Sequence, residues 1–208
     1  MHQHRHLPEV EDLISQLNPH FINNALQWLQ LRMSGDEQAM KMISKLAENF
    51  SMVFKENTED YAQHTLVDEL KLMDNYLFIQ RCRYGDRLEY QMPDRKEWSS
   101  YSRFQIPISS CVRIVEEAIE NRIRSRKDGT GKLTVSLEHI KEGVKMIIED
   151  DGIPFRKSRI SRLLINDSAM QKINQKDAGD KKGYWITDYE EGIFSKDSGT
   201  RVTIYIPI

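Results

Sequence analysis

The stretch Gln16-Leu-Asn-Pro-His-Phe-Ile-Asn-Asn-Ala-Leu26 shapes the first half of this 208-residue chain. Apolar residues around it recur at intervals of three and four, which predicts a helix over Pro8–Met33. Pro19 stands in the helix interior, where it removes a backbone hydrogen bond at a cost of about 3 kcal/mol. Beside this kink runs a polar stripe made of Gln16, His20, Asn24 and Gln27. The imidazole of His20 is therefore predicted to face solvent, accessible to chemistry, although by itself this pattern favours an ordinary surface histidine.

Two further helices follow in the first half. The break Ser34-Gly35-Asp36 ends the first helix, and a second is predicted over Glu37–Glu56, with its apolar residues at heptad-like intervals. Neither helix can bury its stripe alone, so two such hairpins are expected to form a four-helix dimer. A third helix is predicted to start at the N-cap Thr65, with Asp68 at the capping-box position, and to end near Tyr84-Gly85.

The second half has a mixed pattern. It predicts strands and one helix, namely strands at Arg87–Met92, Leu133–Leu137, Val144–Ile148 and Gly199–Ile208 and a helix over Ile108–Ser125. Residues Phe155–Lys182 predict a long basic loop with one short helix at Ile160–Ile165. The predicted fold class is α+β, a helical hairpin followed by an α/β sandwich with helices on one face of a mixed sheet. We divide the chain into a hairpin (1–64), a connecting helix (65–86) and the sandwich (87–208).

Composition excludes several classes of function. Thirty Lys and Arg against thirty-two Asp and Glu give a net charge of -2, so no basic field favours nucleic acid as a partner. No apolar run approaches the roughly 18 residues that a membrane span requires, so we expect any membrane segment to lie outside this chain. Cys82 and Cys111 have no CxxC spacing, which indicates a reducing compartment without a metal or redox motif. A cytoplasmic location is expected.

From about Leu13 to Pro207 the chain resembles the LytS-like sensor histidine kinases. Gln16–Leu26 matches that family's Q-x-x-P-H-F-[LI]-x-N-x-L, a motif made specific by its helix-interior proline. Thr65–Leu70, continuing to Tyr76–Tyr84, is similar to the family's connecting helix with its Y-x-x-[IL]-Q-x-x-R stretch. The terminal strand also resembles that of the family.

This resemblance implies a two-component signalling module with a Bergerat-type (GHKL) ATP-binding domain. His20 would be the phosphoacceptor, ATP and Mg²⁺ the cofactors if the module is active, and a homodimer partner and a response regulator the proteins it contacts. The module would be the cytoplasmic part of an inner-membrane sensor. The ATP-binding residues that the resemblance implies are Glu116, Glu117, Asn121, Asp150, Gly152 and Gly183, with Glu117 at the metal.

The first two ATP boxes depart from the family pattern. Val115–Arg122 stands where such kinases have V-E-N-A-[IV]-x-H-G, so Glu117 replaces the asparagine that holds Mg²⁺. Its carboxylate can still ligate Mg²⁺ but adds negative charge beside a triphosphate. Asp150-Asp-Gly-Ile-Pro154 stands where D-N-G-x-G is expected. Asp150 keeps the carboxylate that would accept the adenine amino group, while Pro154 replaces the last glycine and changes the turn.

The third box departs furthest. Gly183–Asp188 aligns with G-x-G-L-x-N, which puts Trp185 at the glycine that lets the backbone approach phosphate. An indole there is expected to fill the nucleotide cavity. Asp188 takes the place of the family's asparagine, and the stretch between Asp188 and Gly199 leaves little room for the family's next helix.

Three functions remain open on this sequence, and with them whether the chain is an enzyme. It is an active autokinase with unusual Mg²⁺ ligation, a pseudokinase that signals through dimer rearrangement or partner binding, or a phosphotransfer module that exchanges a phosphoryl group at His20. The altered boxes favour a degenerate ATP site, and the intact phosphoacceptor motif favours a two-component role. In the simpler interpretation, Glu117 is a surface carboxylate and Asp150–Gly152 is only the turn after a hairpin.

Overall fold

The computed structural model describes residues 26, 27, 29–31, 33, 35–56, 64–119, 130–152, 185–195 and 198–207. Most of the helix predicted over Pro8–Met33 lies outside these residues, and His20 with it. The loop and short helix predicted over Phe155–Lys182 also lie outside them, as do Asn121 and Gly183.

Three α-helices lie completely within the described ranges, and residues 26, 27 and 29–31 are helical as well. Helix α1 spans Glu37–Glu56, α2 spans Leu66–Tyr84 and α3 spans Ser110–Glu117. The first two confirm the predicted helices, and α2 starts as expected, because the Thr65 hydroxyl and the Asp68 carboxylate form a capping box. Helix α3 begins two residues later than predicted, and residues 118 and 119 continue it as a π-helical turn. No helix in the described ranges is long and apolar enough to cross a membrane.

The strands form one mixed sheet in the order β1-β2-β3-β5-β4. Its members are β1 (Leu88–Gln91), β2 (Gly131–Ile140), β3 (Gly143–Asp150), β4 (Trp185–Ser195) and β5 (Ser198–Pro207). The pair β1 and β2 is parallel, and the other three pairs are antiparallel. Four of the strands confirm predictions, and β2 and β3 extend further than predicted, so that they are joined by a tight turn between Ile140 and Gly143.

Strand β4 was not predicted from the sequence. Its first residues belong to the stretch aligned with the family's third ATP box, and they form an edge strand in which Trp185 is the register partner of Tyr205 of β5. The expectation that the indole fills the nucleotide cavity stays a prediction, because the Trp185 side chain lies outside the part of the chain that the structure describes. Without β4, the outer edge of β5 would present a row of unpaired backbone groups. The segment is rich in aromatic and β-branched residues that favour strands, namely Trp185, Ile186, Thr187, Tyr189, Ile193 and Phe194.

The core lies between the sheet and helices α2 and α3. One face of the sheet supplies alternating buried side chains, which include Leu133, Val135, Val144, Met146, Ile148, Val202, Ile204 and Ile206. Helix α2, predicted as a connecting helix, adds Leu66, Leu70, Met73 and Leu77 to this same core, and α3 adds Ile114 and Val115. The structure therefore confirms the α+β fold class with helices packed on one face of a mixed sheet.

Candidate functional site

The candidate site is centred on the end of β3 and the beginning of β5. Asp150 is the last residue of β3, and its register partner in β5 is Thr200. Only 1% of Asp150 and none of Thr200 is exposed. The Thr200 hydroxyl has no hydrogen-bond partner among the described residues. A buried polar atom left in this way costs free energy, so a partner from a ligand would stabilise it.

The turn after β3 is held rigidly from two sides. The backbone nitrogen of Gly152 donates to Asp150 Oδ1 at 3.0 Å, and that of Gly199 donates to the carbonyl of Gly152 at 2.8 Å. Gly199 has a φ of 87°, a left-handed conformation that residues with a Cβ adopt at a cost. On the other side, Asp151 Oδ1 accepts a hydrogen bond from the backbone nitrogen of Lys132 at 2.7 Å. Asp150 and Gly152 are thus brought together in a fixed turn.

The two carboxylates at the end of α3 differ in their surroundings. Glu116 Oε2 lies 3.3 Å from Arg113 Nη1 in an exposed ion pair, the kind that adds little stability. Glu117 is half-buried, and its Oε1 oxygen is fully enclosed. Carboxylate oxygens are the ligands that Mg²⁺ prefers, and Glu117, the residue expected at the metal, has one such oxygen away from bulk solvent. The described ranges hold no cluster of three or more metal-ligating side chains, so any cation there needs ligands beyond them.

Sequence reasoning named Asp150 and Gly152 but missed Thr200. The signal was the Gly199-Thr200 pair at the start of the terminal strand, which was interpreted only as strand. Of the remaining expected residues, Glu116 and Glu117 lie at the end of α3, and His20, Asn121 and Gly183 lie outside the described residues. The structure therefore brings the expected residues Asp150 and Gly152 together with Thr200.

A groove of about 880 Å³ lies elsewhere, between the start of α1 and the end of α2. Two contacts between charged groups and their surroundings lie at this groove, since Arg81 Nη2 is 2.9 Å from Asp86 Oδ1 and Asp36 accepts a hydrogen bond from the backbone nitrogen of Ala39. None of the expected ATP-site residues lines it.

The thiol of Cys111 lies close to the start of α3 but is chemically inert. Burial raises the pKa of Cys111 well above its usual range, and the nearby Glu69 carboxylate raises it further. The thiol therefore stays protonated at neutral pH, and this cysteine is a small apolar core residue rather than a nucleophile.

Proteins similar to this chain are sensor histidine kinases. The family model described as "Histidine kinase" matches residues 8–88. The sensor histidine kinase BtsS of Escherichia coli K12 is 29% identical over 201 residues, which cover 96% of this chain and 33% of BtsS. The sensor protein LytS of Staphylococcus saprophyticus is 27% identical over 213 residues, which cover 96% of this chain and 34% of LytS. The chain thus spans about a third of the length of the curated relatives it matches.

One similar solved structure is the histidine kinase domain of the blue-light activated histidine kinase EL346 from Erythrobacter litoralis. It has a TM-score of 0.44 and 14% sequence identity to this chain, and the match covers 92% of this chain and 86% of that domain.

Proposed function

Because this chain is a member of the LytS-like sensor histidine kinase family, we propose that it is the kinase module of a two-component sensor, with His20 as the phosphoacceptor. Its nucleotide site would lie at Asp150 and Thr200. The observation that carries this proposal is the buried Thr200 hydroxyl, which has no hydrogen-bond partner among the described residues and stands in register with Asp150.

The chemistry of these two side chains suits an adenine ring. The Asp150 carboxylate accepts hydrogen bonds, as an exocyclic amino group requires, and the Thr200 hydroxyl can donate to a ring nitrogen. Both side chains are buried, so such bonds would form in a low-dielectric setting that strengthens them. The rigid turn at Gly152 and Gly199 would keep the carboxylate in place without reorganisation.

On the phosphate side, Glu117 is the described residue suited to a cation. ATP would supply the phosphoryl group and Mg²⁺ would neutralise its charge. Glu117 would hold the metal with an oxygen, and His20 would accept the phosphoryl group on a neutral imidazole nitrogen. The further ATP contacts expected from Asn121 and Gly183 belong to this proposal as well.

A second candidate function is that of a pseudokinase or phosphotransfer scaffold. The edge strand β4 favours it, because Trp185 and its neighbours pair with β5 in the stretch that aligns with the family's glycine-containing phosphate box. With a degenerate phosphate side, the module would signal through dimer rearrangement and partner binding. Alternatively, His20 would exchange a phosphoryl group with a response regulator or with another kinase.

In either form we propose that the module acts as a homodimer through residues 1–64, with residues 65–86 connecting them to the ATP-binding part at 87–208. Large apolar side chains support such a surface, because Leu29, Leu31, Met33 and Leu46 are exposed. A response regulator would receive the phosphoryl group. The module would lie in the cytoplasm as one part of a longer inner-membrane sensor.

Calorimetric titration with a non-hydrolysable ATP analogue, with and without Mg²⁺, tests the nucleotide site. We expect saturable binding by the wild-type protein and its loss in Asp150→Asn. Asp151→Asn is the matched control, because the amide oxygen of asparagine can keep the hydrogen bond from the backbone nitrogen of Lys132, so the turn is preserved and affinity should be unchanged. Absence of heat at millimolar nucleotide would leave the second candidate function.

Phosphorylation tests the role of His20. Incubation with radiolabelled ATP should label the wild-type protein at an acid-labile position, and His20→Gln should stay unlabelled. If nucleotide binds but no label appears, transfer from a phosphorylated response regulator to the wild-type module, absent in His20→Gln, would identify a phosphotransfer module.

A further inference from the structure

Helix α3 is capped by a carboxylate that belongs to another helix. Glu69 of α2 is completely buried, and its Oε1 accepts hydrogen bonds from the backbone nitrogens of Cys111 at 2.7 Å and Val112 at 3.1 Å. Its Oε2 accepts one from the backbone nitrogen of Ser109 at 2.9 Å. One side chain of α2 therefore satisfies three of the backbone N–H groups that the start of a helix leaves without intrahelical partners.

The buried His64 side chain adds a fourth contact to this carboxylate. Its Nε2 lies 2.9 Å from Glu69 Oε2, and both residues are excluded from solvent. Buried charge of this kind persists only where donors surround it, because an unpaired carboxylate in the interior costs several kcal/mol. We refer to Glu69, His64 and the backbone of residues 109–112 as the Glu69 clamp.

Helix α3 is capped by Glu69 of α2 although the N-cap residue, Ser109, could have capped the helix with its own side chain. Serine is a preferred N-cap residue, yet Ser109 makes no side-chain cap hydrogen bond. Ser109 instead adopts a left-handed conformation with φ 59°, which a non-glycine residue holds only when its surroundings impose it. A local cap would have stabilised α3 alone, whereas the cap from Glu69 ties α3 to α2.

Backbone hydrogen bonds reinforce the same junction. The nitrogen of Leu66 donates to the carbonyl of Phe104 at 2.7 Å, and the nitrogen of Ile106 donates to the carbonyl of His64 at 3.1 Å. The first turn of α2 is thus joined both to the segment before α3 and to the first turn of α3. Any displacement of α2 along or around its axis must be passed to α3, because packed interiors transmit strain.

We propose that Glu69 is a positioning residue of the nucleotide site, which fixes the start of α3 on α2 and thereby sets where Glu117 lies. Glu117 ends the eight-residue α3, about 12 Å along the axis from the clamp. This inference rests on the proposed nucleotide site and names the residue that controls its geometry. The proposal also gives α2 a role in signalling. A movement of α2 would shift α3 and, with it, the Glu117 carboxylate proposed to hold the metal.

The test compares Glu69→Gln with a matched control in the neighbouring residue, Asp68→Asn. Asp68 also caps a helix, but its partners Thr65 and Lys71 both belong to the α2 side of the junction. In Glu69→Gln, the amide nitrogen replaces one carboxylate oxygen, so either the contact with Ser109 or the pair of contacts with Cys111 and Val112 is lost, and the charge of the clamp is removed. The loss of one such charged contact corresponds to about tenfold in an equilibrium constant.

The first readout is amide hydrogen exchange at Ile114–Glu117, beyond the residues that Glu69 contacts. We expect faster exchange there in Glu69→Gln and no change in Asp68→Asn. The second readout is the gain in affinity for an ATP analogue when Mg²⁺ is added. This gain should fall about tenfold in Glu69→Gln and stay within twofold in the control, since a general loss of stability would not alter the ratio.

Changes confined to residues 109–112, or equal changes in the two variants, would overturn the proposal. Glu69→Asp keeps the charge but shortens the side chain by one methylene, so it provides the same comparison if the glutamine variant does not fold. If the wild-type protein binds no nucleotide, the proposed function fails. The hydrogen-exchange measurement still decides, independently of nucleotide, whether Glu69 stabilises α3.

Discussion

Asp150 at the end of β3 is the register partner of Thr200 in β5, and together they place a carboxylate and a hydroxyl in the protein interior. The neighbouring pair, Glu149 and Arg201, projects from the opposite face, where Arg201 Nε donates to Glu149 Oε1 at 2.7 Å. The two faces of the same strand pair thus differ: one carries a satisfied ion pair, and the other carries a hydroxyl without a partner among the described residues.

The first prediction concerns the free-energy cost of burying the Thr200 hydroxyl without a hydrogen-bond partner in the described part of the chain. Replacing Thr200 by Val keeps the shape and removes the buried polar atom, so the free energy of unfolding should rise by about 1 kcal/mol. Affinity for an ATP analogue should fall at the same time, because the adenine ring loses the hydrogen bond proposed from the Thr200 hydroxyl. Urea denaturation and calorimetry on the same samples measure both quantities.

Thr203→Val on the same strand is the control for Thr200→Val. Thr203 is also buried, but it stands three positions after Thr200, and because side chains alternate along a strand it belongs to the other face of the sheet. It should leave nucleotide affinity unchanged. A Thr200→Val protein that is destabilised and still binds nucleotide with wild-type affinity would remove Thr200 from the site.

The sequence predicted the elements whose signals are local. Thr65 and Asp68 mark the start of α2, and strict alternation marks β5, so both elements lie where the pattern placed them. Strand β4 was missed because its register shifts, between Ile186 and Asp188 and again before Ser195, break the alternation that identifies a strand. Its pairing depends on the outer edge of β5, which no local pattern reveals.

The same distinction holds for the candidate site. Asp150 could be identified from its similarity to the family's D-N-G-x-G motif. Thr200 becomes a candidate only when the register between β3 and β5 places it beside Asp150. In the sequence, nothing distinguishes Glu69 from the other charged residues of α2, because its partners are the backbone nitrogens of residues about 40 positions later in the chain. Contacts between distant segments are fixed by packing, and a single sequence does not display them.

The second prediction concerns the acid stability of the α2 cap. Burial raises the pKa of Asp68, but hydrogen bonds from the side chains of Thr65 and Lys71 lower it more, so the net shift is downward. A lowered pKa in the folded state means that the stabilisation is present above the unfolded value of about 3.9 and is lost as the pH falls through the folded value.

We therefore expect Asp68→Asn to be less stable than the wild-type protein by about 1 kcal/mol at pH 6. The difference should shrink as the pH falls below about 3.9, where the carboxylate of the unfolded chain becomes protonated before that of the folded protein. Thermal unfolding of both proteins between pH 6 and pH 3 measures this. A difference that stays constant over that range would contradict the role of the charge.

The third prediction concerns Gly143 at the turn between β2 and β3. A Cβ at this position would overlap the backbone carbonyl of Ile206 in β5, and the backbone cannot move aside as a flexible side chain can. Gly143→Ala should therefore reduce the free energy of unfolding by roughly 1–3 kcal/mol. Gly35→Ala is the control, because nothing lies within 4 Å of a Cβ there. Equal effects of the two substitutions in urea denaturation would refute this close approach.

The fourth prediction separates the two cysteines by their reactivity. Cys111 is completely buried, and burial together with Glu69 raises its pKa, whereas Cys82 on α2 is partly exposed. Since the thiolate is the reactive form, iodoacetamide at neutral pH should modify Cys82 in the folded protein and leave Cys111 intact. Mass spectrometry after a timed reaction measures this, and Cys82→Ser should remain unmodified until it is unfolded.

The labelling rate of Cys111 also reports opening of the Glu69 clamp, because the backbone nitrogen of Cys111 donates to Glu69. Cys111 should therefore be labelled faster in Glu69→Gln than in the wild-type protein.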